Sequence, residues 1–258
     1  TDEVDRREVA EVLGIDVAAI PDRASWSYDQ IVEGIARGDI RGLWVIATNP
    51  AHSWINQSHM RDMLGRLDLL VVQDLYPDTE TARRAHLYLP AAGWSEKEGT
   101  FINSERRIAR VRRSVAPPGQ ARTDLEIFQG IAETWGCGPM FRRWRTPEAI
   151  FSILRELSRG RPCDITGIAS YADLDDAGIQ WPLAEGASAG DLPSARRLFG
   201  DGRFFTRDGR ARFVHDDPAS PPERISQRYP LVLLTGRGST ATWHTQTRTS
   251  RSPVLARL

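Results

Sequence analysis

Three short, mainly apolar runs, each ended by polar residues or by a proline, limit the folds open to this chain of 258 residues. The runs cover 43–47, 69–72 and 86–89, and each has the length of a buried strand. Between them, residues 58–66 and 79–84 have the pattern of helices. A strand–helix–strand–helix–strand order with short connections favours a parallel sheet with flanking helices. We therefore predict an α/β, Rossmann-like fold whose strands are buried on both faces.

Other segments add helices, an arginine-rich strand and a hairpin. The predicted helices cover 5–13, 28–37, 123–135 and 147–157. Apolar and basic residues alternate over 104–115, which favours a strand or an extended arm. Asp208-Gly209 lies between two apolar-containing runs and predicts a hairpin over 203–214. A further apolar run at 231–234 predicts another buried strand.

Charge and cysteine content exclude several classes of protein. The 34 basic residues balance 34 acidic ones, so a globally basic nucleic-acid binder is not expected. No apolar run approaches the roughly 18 residues that a membrane span needs. Two cysteines, Cys137 and Cys163, cannot build a disulfide framework and lack the spacing of an iron–sulfur or zinc site. These features indicate a globular protein of a reducing compartment.

Polar residues follow the predicted strands at the edge where α/β sheets bind ligands. Neither a Walker A motif nor G-x-G-x-x-G is present, so side chains must replace a glycine-rich turn. Asn49 follows the first strand and Gln73-Asp74 end the second. A carboxylate such as Asp74 can accept two parallel hydrogen bonds from guanine, although a loop or helix-capping aspartate is an equal alternative.

Two basic features and one polar cluster are further candidates for binding. Lys97 is the only lysine among the 34 basic residues, which suggests a compact charge for a phosphate, although a surface ion pair is the simpler explanation. The arginines of 106–113 could meet a polyphosphate, a partner or nucleic acid, or could lie on a solvated strand face. Residues 235–237 and 243–249 could surround a highly polar ligand.

Four motifs together resemble one enzyme family. They are G-L-W-V-I-A-T-N-P at 42–50, V-V-Q-D at 71–74 with T-E-T at 79–81, L-P-A-A at 89–92 with E-K-E-G-T-F at 96–101 and N-S-E-R-R at 103–107, and P-P-G-Q-A-R-T-D at 117–124. T-G-R at 235–237 and W-H-T at 243–245 extend the pattern. The chain is thereby similar to catalytic subunits of the molybdopterin oxidoreductases, the dimethyl sulfoxide reductase superfamily. His86 departs from the pattern, in which an aspartate is usual.

The resemblance implies molybdenum held by two molybdopterin guanine dinucleotides. It implies cofactor contacts from residues at the strand ends, at a helix start and in the last polar cluster: Asn49, Gln73, Asp74, Lys97, Asp124, Thr235, Gly236, Arg237, Trp243, His244 and Thr245. Asp74 or Asp124 would read guanine. No catalytic residue and no metal ligand is assigned within the chain. A [4Fe–4S] cluster is expected in the full-length protein, ligated outside this segment.

The resemblance also implies a division of the chain. Residues 1–130 would form the Rossmann-like dinucleotide-binding domain, 131–228 a mixed connecting region with the hairpin, and 229–258 the start of a C-terminal β-barrel that binds the cofactor. The segment is expected to belong to a larger polypeptide and to be inactive alone.

Three functions remain open from the sequence. The first is reduction of nitrate to nitrite by oxygen-atom transfer, as in bacterial assimilatory nitrate reductases, with formate oxidation as the alternative within the family. The second is a non-catalytic guanine-nucleotide-binding module. The third is an arginine-rich nucleic-acid or partner-binding domain. The first implies an oxyanion substrate, an electron-donor protein or reductase subunit, no nucleic acid, no membrane span and a cytoplasmic location.

Overall fold

The computed structural model describes residues 2–175, 177–193, 195–218, 224–233 and 247–254. The chain divides into two compact units, Thr1–Arg196 and Arg197–Leu258. The strands formed by the described residues all belong to the first unit. The predicted division at residues 130 and 228 stays a prediction.

The first unit contains six α-helices and six strands among the described residues. The α-helices are α1 (Glu3–Leu13), α2 (Tyr28–Arg37), α3 (Pro50–Ser53), α4 (Gln57–Leu64), α5 (Asp124–Thr134) and α6 (Pro147–Leu157). The strands are β1 (Gly42–Ile46), β2 (Leu69–Asp74), β3 (Leu87–Pro90), β4 (Gly99–Ile102), β5 (Arg107–Val111) and β6 (Ile179–Gln180). Short 3₁₀ helices cover Val17–Ala19, Ala82–Arg84, Trp94–Glu96, Gly138–Phe141, Ala172–Leu174, Ala189–Asp191 and, in the second unit, Thr249–Arg251.

The predicted parallel sheet is present, and its three strands lie in the order β1-β2-β3. Gly42 pairs with Leu69 at the start of β1 and β2, and Val71 pairs with Leu87 where β3 begins. The three strands start at one edge and end at the other, so the polar residues that follow them share one edge. This arrangement confirms the mixed α/β fold.

The sheet has one well-covered face. Helices α2 and α4 pack on it, and the resulting core contains Val32, Ile35, Val45, Met60, Met63, Leu64, Leu70 and Val72. These helices form because their apolar residues recur on one side; in addition, Ser27 caps α2 in a capping box, and Gly38 ends it at φ 82°.

The opposite face of the sheet is only half covered. Phe128 of α5 packs on Trp44, with ring centroids 5.3 Å apart. A groove of about 1130 Å³ remains between this face and α5, and Leu69 and Leu87 along it are each 49% exposed. The prediction that the strands are buried on both faces is therefore wrong for this face, because a single helix is too narrow to cover three strands.

A second, antiparallel sheet has the order β4-β5-β6. Strand β5 confirms the extended segment predicted within 104–115, and it pairs with β4 from Ile102↔Ile108 to Gly99↔Val111. The sheet packs on α6 through a core that includes Ile108, Phe151 and Leu174. Neither β4 nor β6 is predicted by the sequence pattern.

The arginines of β5 and the residue after it bind neighbouring acids. Arg110 pairs with Glu98 at 3.0 Å and with Asp175 at 3.3 Å. Arg112 pairs with the same aspartate at 2.5 Å. These bonds, the one from Arg112 foremost, keep the pKa of Asp175 below its ordinary value. The pairing favours a structural role over polyphosphate or nucleic-acid binding.

The described residues form neither of two predicted β elements. Residues 203–214 contain a turn, in which Phe204 N donates to Gly209 O at 2.9 Å, but no strands. Phe213 and Val214 are 97% and 86% exposed, so they lack the sheet that would bury a hairpin face. Residues 231–233 are likewise exposed and outside any strand, while Leu234 lies outside the described residues, so the predicted barrel strand is not confirmed.

His86 extends the pairing of β2 and β3 by two hydrogen bonds. Leu70 N donates to Nδ1 of His86 at 2.8 Å, and His86 N donates to Leu70 O at 2.8 Å. The imidazole thus accepts a bond that the usual aspartate could also accept.

Replacing His86 with leucine is expected to lower the free energy of unfolding by about 1 kcal/mol, because the Leu70 N–H loses its acceptor. His86→Asn keeps an acceptor and should lose less. Urea denaturation of both variants measures the difference. Equal losses would mean that the imidazole acts through packing and not as an acceptor.

Candidate functional site

The carboxyl-terminal ends of the parallel strands are joined by a fourth segment. Ala47 N donates to Gln73 O at 2.8 Å, where β1 and β2 end. Ala91 N donates to Asp74 O at 3.0 Å, and Ala91 forms a parallel bridge with Arg122. The start of α5 is thereby brought beside β3. Residues from four separate parts of the sequence meet at this edge.

Gln73, Asp124 and Lys97 form a continuous hydrogen-bonded chain at this edge. Nε2 of Gln73 donates to Oδ1 of Asp124 at 2.7 Å, and Nζ of Lys97 donates to Oδ2 of the same carboxylate at 2.7 Å. Gln73 is completely buried, whereas Lys97 and Asp124 have side chains that are 29% and 35% exposed. These hydrogen bonds therefore connect the buried end of β2 to a partly exposed carboxylate–ammonium pair.

The sequence places Asp124 at the positive end of a helix. Thr123 caps α5 through a hydrogen bond from Glu126 N at 3.2 Å, and the Glu126 carboxylate accepts from Thr123 N at 2.8 Å. This capping box fixes where α5 begins. Asp124 is the first helical residue, so the helix dipole stabilises its negative charge.

The Gln73 amide has an acceptor that no described residue serves. Its Oε1 is buried and has no hydrogen-bond partner among those residues. Rotating the amide would turn Oε1 toward the Asp124 carboxylate and lose the bond from Nε2. The amide orientation is therefore fixed, and an unsatisfied acceptor lies next to the Asp124–Lys97 pair.

Asp74 is buried at the end of β2, and its Oδ1 accepts from Leu75 N at 2.7 Å. Its backbone carbonyl accepts from the Tyr88 hydroxyl at 2.7 Å. Burial, followed by the negative charges of Asp74 and Asp78, raises the pKa of Tyr88 to about 12. The tyrosine therefore stays a neutral donor at physiological pH.

Asn49 belongs to a second group, which we call the Asn49 cluster: Asn49, Glu80 and Thr81. Oδ1 of Asn49 accepts from Thr81 Oγ1 at 2.7 Å and from Thr81 N at 3.1 Å, and Nδ2 donates to Glu80 Oε2 at 2.7 Å. The pKa of Glu80 is lowered, and the hydrogen bond from Asn49 is the largest cause. The nearby His52 lowers the pKa of Glu80 by a smaller amount. The cluster joins the loop after β1 to the segment after β2.

The predicted site residues thus fall into three sets. Gln73, Lys97 and Asp124 are brought together, with Asp74 adjacent to Gln73 in sequence; Asn49 is in its own cluster. The remaining predicted contacts lie outside the described residues: Thr235, Gly236, Arg237, Trp243, His244 and Thr245. The sequence pattern assigns no role to Glu80 and Thr81, and the T-E-T motif that contains them is the signal that points to them.

The sequence model of the family described as Molybdopterin oxidoreductase matches residues 10–134, which include Gln73, Lys97, Asp124 and the Asn49 cluster. Residues 10–134 are a Molybdopterin oxidoreductase domain. The whole chain is 37% identical over 254 residues to a nitrate reductase of Synechocystis, covering 98% of this chain and 35% of that protein.

Two further relatives carry different names. The assimilatory nitrate reductase catalytic subunit of Bacillus subtilis is 36% identical, over 97% of this chain and 34% of that protein. The F420-dependent formate dehydrogenase subunit alpha of Methanocaldococcus jannaschii is 35% identical, over 84% of this chain and 30% of that protein. The chain thus spans about a third of the length of these relatives.

A solved structure of acetylene hydratase from Pelobacter acetylenicus is 19% identical to this chain with a TM-score of 0.44, covering 58% of this chain and 21% of that one. In the part of the chain that the structure describes, no helix combines the length and the apolar character needed to cross a bilayer.

Proposed function

We propose that this chain is the part of a molybdenum-dependent oxidoreductase that binds molybdopterin guanine dinucleotide at the carboxyl edge of its parallel sheet. The complete protein would reduce nitrate to nitrite. The observation that carries the proposal is the Gln73–Asp124–Lys97 chain, in which three distant segments bring an amide, a carboxylate and an ammonium group together.

The chemistry of these side chains fits such a dinucleotide. Guanine offers two adjacent donors, which a carboxylate of Asp74 or Asp124 can accept. The phosphates and pterin oxygens offer negative charge and acceptors, which suit the Lys97 ammonium. The unserved Oε1 of Gln73 is one more acceptor beside the pair. In this proposal Gln73 orients Asp124, and Lys97 balances its charge.

The bound group would supply oxygen-atom transfer to reduced molybdenum. The overall reaction takes nitrate, two electrons and two protons to nitrite and water, so an electron donor is required. We propose that the electrons arrive from a donor protein or reductase subunit through a [4Fe–4S] cluster held outside these 258 residues. The contacts at Thr235, Gly236, Arg237, Trp243, His244 and Thr245 remain part of the proposal. A cytoplasmic location does too, supported by Cys137 and Cys163, which form no disulfide with each other.

Two other functions, formate oxidation and nucleotide binding without catalysis, are alternatives to nitrate reduction. Formate oxidation is supported by the relative named formate dehydrogenase, at an identity close to that of the nitrate reductases. A guanine-nucleotide-binding module without catalysis would use the same carboxylates. The nitrate proposal is preferred because several of the similar proteins are named nitrate reductase and match nearly the whole chain.

The test is an assay of the complete polypeptide that contains this chain. We expect nitrate to oxidise a reduced viologen dye in its presence, and formate to leave the oxidised dye unchanged. Dye reduction by formate would replace the nitrate proposal by the formate one. Bound guanine nucleotide without molybdenum and without either activity would favour the binding module.

A further inference from the structure

We infer that Asn49 is a positioning residue and that Glu80 and Thr81 are the residues that hold it. This differs from the cofactor contact that the family resemblance implies for the Asn49 side chain. The inference rests on the proposed function, since the loop being positioned lies at the edge where the dinucleotide would bind. It assigns roles to two side chains for which sequence reasoning gave none.

The Asn49 amide is already engaged in hydrogen bonds with Thr81 and Glu80. The residue is 1% exposed. Its Oδ1 accepts two hydrogen bonds from Thr81, which is the usual capacity of an amide oxygen, and its Nδ2 donates to Glu80. A ligand could replace these bonds only by opening the buried contact with Thr81.

The Asn49 cluster also holds the backbone of the loop that follows β1. The Thr81 hydroxyl donates to Asn49 and accepts from Ala51 N at 3.0 Å, so one buried side chain fixes both sides of Pro50. Thr81 itself is completely buried. On the other side of the loop, Ala47 N is bonded to Gln73 O. The loop between β1 and α3 is therefore held at both ends.

The loop between β1 and α3 contains one strained residue, Ala47. Ala47 has φ 57°, a left-handed conformation that costs a residue with a Cβ atom more than it costs glycine. Such a conformation persists where the surroundings determine it. The bonds from Thr81 and Gln73 supply that determination, directly beside the Gln73–Asp124–Lys97 chain.

The outer end of the cluster is a partly open carboxylate. Glu80 has a side chain that is 41% exposed and lies 3.5 Å from Nδ1 of His52, whose side chain is 32% exposed. The amide of Asn49 thus orients Glu80 from the buried side. Reversing the hydrogen bond between Asn49 and Glu80 therefore tests positioning while keeping both side chains nearly the same size.

The experiment uses the complete polypeptide and measures molybdenum and guanine nucleotide per folded protein. Asn49→Asp places a second carboxylate against Glu80. We expect the molybdenum and guanine-nucleotide content to fall about tenfold, which corresponds to about 1.4 kcal/mol of binding free energy. In the double variant N49D/E80Q the new amide donates to the new carboxylate, and the content should return to near the wild-type value. Thr81→Ser keeps the hydroxyl and should retain the content, whereas Thr81→Val should lose about as much as Asn49→Asp.

The outcomes separate this inference from the proposed function. Loaded wild-type protein without rescue in N49D/E80Q would overturn the positioning role and favour a direct contact from the amide. Full content in Asn49→Asp would overturn it as well. If folded wild-type protein carries neither molybdenum nor guanine nucleotide, the proposed function fails, and the inference fails with it. Should Asn49→Asp not fold, the recovery of folded, loaded N49D/E80Q still decides the question.

Discussion

Replacing Lys97 with methionine in the complete polypeptide is expected to lower its molybdenum and guanine-nucleotide content about tenfold or more. The substitution removes a charged hydrogen-bond donor worth about 1.5–3 kcal/mol to an anionic ligand. It also leaves Oδ2 of Asp124 without the Lys97 ammonium, while the bond from Gln73 to Oδ1 remains. The fold should survive, because an ion pair that is about one third exposed adds at most about 1 kcal/mol to stability.

Arg37→Met is the matched control for this prediction. It breaks another ion pair, Arg37 with Asp39 at 2.8 Å, at the end of α2. We expect a similarly small change in thermal stability and an unchanged cofactor content. Wild-type content in Lys97→Met would remove Lys97 from the site, and an equal loss in both variants would indicate a general effect of charge.

Leu70→Ala is expected to have the largest effect on stability, a loss of about 3 kcal/mol in the free energy of unfolding. Leu70 is completely buried between the sheet and the helices α2 and α4, so its truncation leaves a cavity in the core. Chemical denaturation of the 258-residue chain measures the loss.

The neighbouring Leu69→Ala supplies the comparison for Leu70→Ala. Leu69 is on the same strand but is 49% exposed on the half-covered face, so the expected loss is below about 1 kcal/mol. Equal losses at the two positions would mean that the half-covered face is as well packed as the core, against the structure described above.

The part of the fold set by local patterns could be predicted from the sequence. The apolar runs at β1, β2 and β3, with the polar residues or the proline that end them, predicted a parallel sheet, because these signals lie within a few residues of each other. Thr123 predicted the start of α5 for the same reason, and Asp124 was therefore placed at a helix terminus. The candidate edge of the sheet followed from the strand order.

Features that depend on distant contacts could not be predicted. Strand β6 has two residues and exists because it pairs with β5, some 70 residues away in sequence. The hairpin over 203–214 had the right turn residues, but no described sheet covers its apolar side chains. The hydrogen bonds of Asn49 are made with Thr81, which is 32 residues away in the sequence. The sequence around Asn49 alone therefore does not show whether its side chain binds a ligand or another residue of the chain.

We propose that the edge beyond β1, β2 and β3 holds a guanine-bearing molybdenum cofactor. The most direct test of this proposal is to purify the complete polypeptide, release its nucleotide by hydrolysis, and quantify guanosine monophosphate and molybdenum in the same sample. We expect both, in a ratio of two nucleotides to one metal. Folded protein that contains molybdenum without guanine nucleotide, or neither, would contradict the proposal.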